Sequence, residues 1–135
     1  MKRIALVVDK NLSLGEQANI VAILSGALSR ENEGMYDSET LLDKSGVQHA
    51  GIKNSLVVLK SKTAALSKFI TQASENEEIS SVVFTRNGQA LNDKYSEYKE
   101  LIRNNELENL EPVGIGVYGG EAVIREMTKK FSLLR

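Results

Sequence analysis

Two short polar segments hold most of the side chains in this sequence that could do chemistry. Asp9-Lys10 ends one apolar run, and Thr85-Arg86-Asn87 ends another. Lys10 and Arg86 are cations, and cations beside a helix N-terminus attract an anion. That helix is announced by Ser13-Leu14-Gly15-Glu16, a capping box in which hydroxyl and carboxylate each satisfy a free backbone N–H. Asn19 sits within the same helix between Ala18 and Ile20, and an amide buried there must find hydrogen-bond partners. The ligand-binding set predicted from these types and positions is Asp9, Lys10, Asn19, Thr85 and Arg86, with a small anion as the ligand class.

His49 is the only imidazole, so a general base would have to be this residue. Its neighbours, Asp43-Lys44-Ser45-Gly46 before it and Gly51 after it, are turn formers, so plain hairpin chemistry explains it as well. Cysteine is absent, which removes disulfides and thiolate ligands, and one histidine removes the common multi-His metal sites. Gly114-Ile115-Gly116-Val117-Tyr118-Gly119 spells the dinucleotide pattern GxGxxG. That motif needs its glycines in the turn after a strand. These lie within one, where glycine marks a bulge or the close approach of another backbone. Neither a metal nor a cofactor is expected.

The positioning elements follow from hydrophobic period. Ile4 to Val8 is a continuous apolar run rich in β-branched residues, a strand covered on both faces. The capped helix runs from Leu14 to about Ser29. Thr40 to Asp43 and Val47 to His49 read as a hairpin around Gly46. Ser55 to Leu59 and Ser81 to Thr85 are further core strands, separated by a helical stripe of Leu66, Phe69, Ile70 and Ala73. An Arg-Asn-Gly turn leads to an amphipathic helix marked by Leu91, Tyr95, Tyr98 and Ile102. Pro112 precedes a strand from Val113 to Tyr118, and a helix from Glu121 to Phe131 follows. Strands alternating with helices imply a three-layer α/β domain with a largely parallel sheet, one domain over residues 1–135. If the first and third strands are parallel, the loops of Asp9 and Arg86 share one sheet edge.

A formal net charge of -1 argues against a dedicated nucleic-acid binder. No run approaches the roughly 20 apolar residues that cross a bilayer. Met1-Lys2-Arg3 leads straight into the core pattern, which reads as mature sequence, and a cytoplasmic location is the expectation.

Nearly the whole chain resembles an uncharacterised bacterial family, domain of unknown function 2000. The resemblance rests on Lys2 to Asp9 with Asn19 beyond, and on Asp43, Gly46, His49 and Gly51. It also rests on Val82 to Thr85, on Tyr95 and Tyr98, on the Gly114 to Gly119 run and on Leu133-Leu134. That family looks like the type II peptidyl-tRNA hydrolase fold. The resemblance implies an α/β/α sandwich around a mixed four-stranded sheet whose last strand is reversed, bringing Pro112 to Gly114 beside the loops of Asp9 and Arg86. By analogy it also implies a homodimer.

The hydrolase's residues do not carry over. Its Lys aligns with Glu16, its Gln with Ile20, its His with Ile23 and its Thr with Gly114, and its acid falls near Thr85 to Asn87. Glutamate reverses the charge facing an RNA phosphate, and isoleucine cannot transfer a proton. The expected function is a non-catalytic binding or regulatory module for a small anionic ligand or a protein partner. The competing expectation is a hydrolase of an aminoacyl or peptidyl ester with altered catalytic residues, His49 as its base. That alternative loses its only imidazole if His49 lies far from Asp9 and Arg86.

Overall fold

The computed structural model describes residues 1–90 and 94–135. Its elements are β1 (Lys2–Asp9), α1 (Leu14–Glu31), β2 (Leu41–Leu42), β3 (Gln48–His49), β4 (Ser55–Ser61) and α2 (Thr63–Ser74). There follow β5 (Ser80–Thr85), α3 (Arg86–Ala90), α4 (Tyr95–Arg103), β6 (Pro112–Gly120), α5 (Glu121–Thr128) and β7 (Ser132–Leu133). The main sheet has the order β5-β6-β1-β4-β7, and β2-β3 form a separate hairpin.

β1 is the centre of the sheet. Its residues alternate between two cores: Ala5 and Val7 join α2 and α5 on one face, while Ile4, Leu6 and Val8 join α1 on the other. Ile4 through Val8 are all 0% exposed, as an unbroken β-branched and aliphatic run requires. Two helical layers therefore cover one sheet. α1 turns Ile20, Leu24 and Leu28 inward, and α2 turns Leu66, Phe69, Ile70 and Ala73 inward.

The expected four strands become five, and the expected largely parallel sheet is mixed. Among the described residues only β1 and β4 pair in parallel; β6 is antiparallel to both β1 and β5, and β7 is antiparallel to β4. The fifth strand lies just beyond the expected last helix, which was read as running to Phe131. That helix ends at Thr128, and Ser132–Leu133 then turns back to pair with Leu59 and Lys60. A two-residue strand has no alternation to read. The Arg-Asn-Gly segment expected as a turn begins the short helix α3. Leu91, expected at the head of the amphipathic helix, lies outside the described residues; that helix is observed from Tyr95.

Because β6 is reversed, β1, β4 and β5 all end at the same side of the sheet, where β6 begins. Val8 pairs with Gly114, and Thr85 pairs with Pro112. The loops carrying Asp9 and Arg86 therefore share that side. The glycines of β6 also acquire a physical reason. A Cβ on Gly114 would lie 2.8 Å from Ile20 Cγ2, and one on Gly116 would lie 3.0 Å from Leu6 Cδ2. Missing side chains on this face let α1 settle close to the sheet.

Candidate functional site

Asp9 is the joint of the strand-end region. It is only 7% exposed. One carboxylate oxygen accepts the Asn11 N–H at 2.9 Å and the other accepts the Thr63 hydroxyl at 2.8 Å. Asn11 Nδ2 donates to Thr63 Oγ1 at 3.2 Å. Two further bonds fasten the main chain here: Gln17 Nε2 donates to the Asp9 carbonyl at 3.1 Å, and the Lys10 N–H donates to the Ser61 carbonyl at 2.9 Å. The β1–α1 loop is thus tied to both α1 and the start of α2. Charge-assisted bonds of this kind are worth roughly 1.5–3 kcal/mol each. The capping box that opens α1 is present, with Ser13 Oγ accepting the Glu16 N–H and Glu16 Oε1 accepting the Ser13 N–H. Hydrogen bonds from the Ser13 hydroxyl and N–H, helped by the charge of Arg86, hold the Glu16 carboxyl below its ordinary range.

Thr85 and Arg86 close the opposite wall. Thr85 is buried and its hydroxyl accepts the Gly88 N–H at 3.2 Å, capping α3. The Arg86 N–H donates to the Glu111 carbonyl at 2.7 Å, and its Nε lies 3.5 Å from the Glu111 carboxylate. Between these walls is a cleft of about 400 Å³ lined by Asp9, Asn11, Thr63, Ser67, Arg86 and Glu111. It adjoins, at Ser67, Leu110 and Pro112, a groove of about 480 Å³ with Glu106 and Glu108 on its rim. Arg86 thus faces a carboxylate majority.

Lys10 does not share this cleft. It lines a second one of about 280 Å³, on the other side of the first turn of α2, together with Lys60, Lys62 and Lys130. Sequence reading placed Lys10 and Arg86 around one anion; the structure sets one on each side of α2. Lys60, Lys62 and Lys130 gave no signal in sequence, since they converge only through the parallel β1–β4 register and the return of β7 to Lys60.

Two other candidates fall away from both clefts. Asn19 is exposed on α1, and the buried amide that ties the loop is Gln17, two residues earlier. His49 stands on β3, in a segment whose residues 37–50 are all exposed. The hairpin leads into Ser55, the partner of Arg3 at the beginning of β1, so it is attached at the opposite end of the sheet from Asp9. Seven strand steps of about 3.3 Å separate those ends. His49 Nε2 lies 2.7 Å from Asp43 Oδ2. Asp43 also accepts the Ser45 and Val47 N–H groups, and the His49 contact, then these amides, hold its carboxyl below its ordinary value. Gly46, with φ 83°, makes the turn. Among the described residues no group of three or more His, Cys, Asp or Glu side chains could hold a metal ion. No helix among them is long and apolar enough to cross a membrane.

The whole chain finds counterparts elsewhere. A solved structure of the protein of unknown function Atu0240, from Agrobacterium tumefaciens strain C58, superposes with a TM-score of 0.84 at 16% identity. The match covers 99% of this chain and 98% of that one. At that identity the likeness concerns the fold. No match is found among curated proteins. The profile of the family described as "Protein of unknown function (DUF2000)" matches residues 2–135. The chain belongs to the DUF2000 family.

Proposed function

We propose that this protein is a non-catalytic binding module whose ligand, a small anion, is held at the carboxyl ends of β1, β4 and β5. One observation carries the reading: two clefts flank the first turn of α2 at that end, while the only imidazole stands on a hairpin joined to the other end. Asp9 and Thr85 are occupied by structural hydrogen bonds, so they shape the clefts, while Lys10 and Arg86 carry charge at their mouths. Acid–base chemistry needs a group within hydrogen-bond reach of the substrate, and His49 is not placed to serve either cleft.

The reversed β6 beside the loops of Asp9 and Arg86 supports descent from the type II peptidyl-tRNA hydrolase architecture. Packing occupies two of the positions aligned with the hydrolase's residues, since Ile20 is fully buried and Gly114 lies beneath it, whereas Ile23, aligned with its His, is 36% exposed and not part of the core. Self-association as a homodimer is proposed by analogy with that fold alone.

Incubation with peptidyl-tRNA tests the central claim. No peptide release is expected from the purified chain, and release that His49→Ala abolishes would overturn the binding-only reading. Solution mass tests the second claim, with a strictly monomeric protein refuting it.

A further inference from the structure

We infer that the lysine-lined cleft beside α2 binds the phosphate group of a small phosphorylated ligand. The inference rests on the reading of the chain as a binding module and supplies its ligand class.

Four lysines from separate parts of the chain line it. Lys10 comes from the β1–α1 loop, Lys60 and Lys62 from the end of β4, and Lys130 from the link between α5 and β7. The protein as a whole carries a net charge of -1, so the concentration is local and not a reflection of basic composition. Among the described residues none of the four has a carboxylate within 4 Å, whereas Arg86, Arg125 and Lys129 each do. Lys60 is moreover half-buried. Gathered like charges repel, and a partly desolvated cation without a counter-ion is unfavourable.

The helix that begins at this cleft departs from the rules of helix stability in the same direction. The N-cap of α2 is Lys62, with no side-chain hydrogen bond to the first turn and no acidic residue in it; the carboxylate at that end is Asp9, which accepts the Thr63 hydroxyl on the side of the other cleft. Capping positions favour Ser, Thr, Asp or Asn, and first turns favour acids, because the N-terminal N–H groups and the helix dipole are both positive. α1 in the same protein follows those rules completely. A lysine cluster and a positively capped helix end are each locally costly, and one multiply charged anion satisfies both.

Phosphate suits this donor set, because compact ammonium groups and backbone N–H groups can share its oxygens. The body of the ligand would lie against Phe131 and Ala65, which supply the apolar wall. A volume of about 280 Å³ lies just below the usual range of ligand pockets, which suits a small phosphorylated molecule.

The test is an amide NMR titration of the full chain with inorganic phosphate, a nucleoside monophosphate and a 5′-phosphorylated oligonucleotide. Saturable shifts are expected at Ala64, Ala65 and Ser132. The double variant Lys60→Gln/Lys62→Gln should weaken binding by about tenfold or more, while Lys53→Gln, an exposed position just before β4 at the other end of the sheet, leaves it unchanged. Shifts that stay linear in phosphate, or that persist unchanged in the double variant, would overturn the inference. An oligonucleotide that binds more tightly than the mononucleotide, with steep salt dependence, would overturn the small-molecule assignment. Saturable shifts confined to Arg86 and Glu111 would overturn the lysine site and leave the binding-module reading standing. Absence of saturable shifts together with His49-dependent peptide release would overturn both.

Discussion

Substituting Gly114 by alanine places one methyl group where α1 and β6 are closest. The new Cβ would stand 2.8 Å from Ile20 Cγ2, 3.0 Å from Leu24 Cδ1 and 3.1 Å from the Val7 carbonyl oxygen. Ile20 and Leu24 are 0% and 1% exposed, so neither can swing into solvent, and the carbonyl belongs to the central strand. Overpacking of this kind costs about 1–3 kcal/mol. Gly114 has no positive φ, so alanine's smaller unfolded-state entropy returns about 0.4–1 kcal/mol. The midpoints of these two terms leave a net loss of about 1.3 kcal/mol. Gly26→Ala is the control. Nothing lies within 4 Å of its Cβ position, and it occupies the exposed side of α1. It should gain about 0.5–1 kcal/mol. Urea denaturation of the three proteins, with equal m values, measures both. The locus of the clash is checked by Ile20→Ala, which removes the crowded methyl. Its cost of about 2–5 kcal/mol alone should shrink in the Gly114→Ala background by a coupling of about 0.5–3 kcal/mol. A Gly114→Ala protein as stable as the parent, or strict additivity with Ile20→Ala, refutes the argument that these glycines exist for helix approach.

Asp9→Ala removes two hydrogen bonds to a buried carboxylate and should lower stability by about 3–6 kcal/mol, read as a fall in denaturation midpoint. An unchanged midpoint would refute the clamp. Asp43 titrates below its ordinary value because His49 and the turn amides favour its charged form. Its ordering effect is therefore complete above the ordinary carboxylate range and is lost only as pH falls through the lowered value. The carboxylate-linked movement of the Ser45 and Val47 amide resonances should accordingly come only below the ordinary carboxylate range; in His49→Ala it should shift to higher pH, and no such shift would contradict the arrangement.

Much of the fold was legible because its core strands are extreme. Ile4 to Val8 can only be a strand buried on both faces, and Leu66, Phe69, Ile70 and Ala73 can only be a helical stripe. The hairpin was readable from Gly46 and the capping box from Ser13 and Glu16, since both are local rules. Strand direction was not local. Whether β6 runs with or against β1 depends on connections that periodicity does not encode, and the reversal came from family resemblance. β7 is too short to carry a pattern. In the site, Asp9 was found because it ends a strand, but Thr63 and Gln17, which fix its carboxylate and carbonyl, are ordinary residues in sequence. Lys60 and Lys62 are two more charges among the 17 lysines and arginines until the β1–β4 register places them beside Lys10.

The central position of β1 has a consequence for how the chain reaches its native state. Its five fully buried residues need β4 on one side and β6 on the other, and β6 is Pro112–Gly120. Pairing across so long a stretch of chain carries a large loop-closure cost and slows folding. While a ribosome makes the protein, β1 must wait, with its most apolar stretch unpaired on one edge, until nearly all the rest has emerged. Such a segment is prone to pair with another nascent chain. Folding yield should therefore fall with concentration more steeply than native stability alone would suggest.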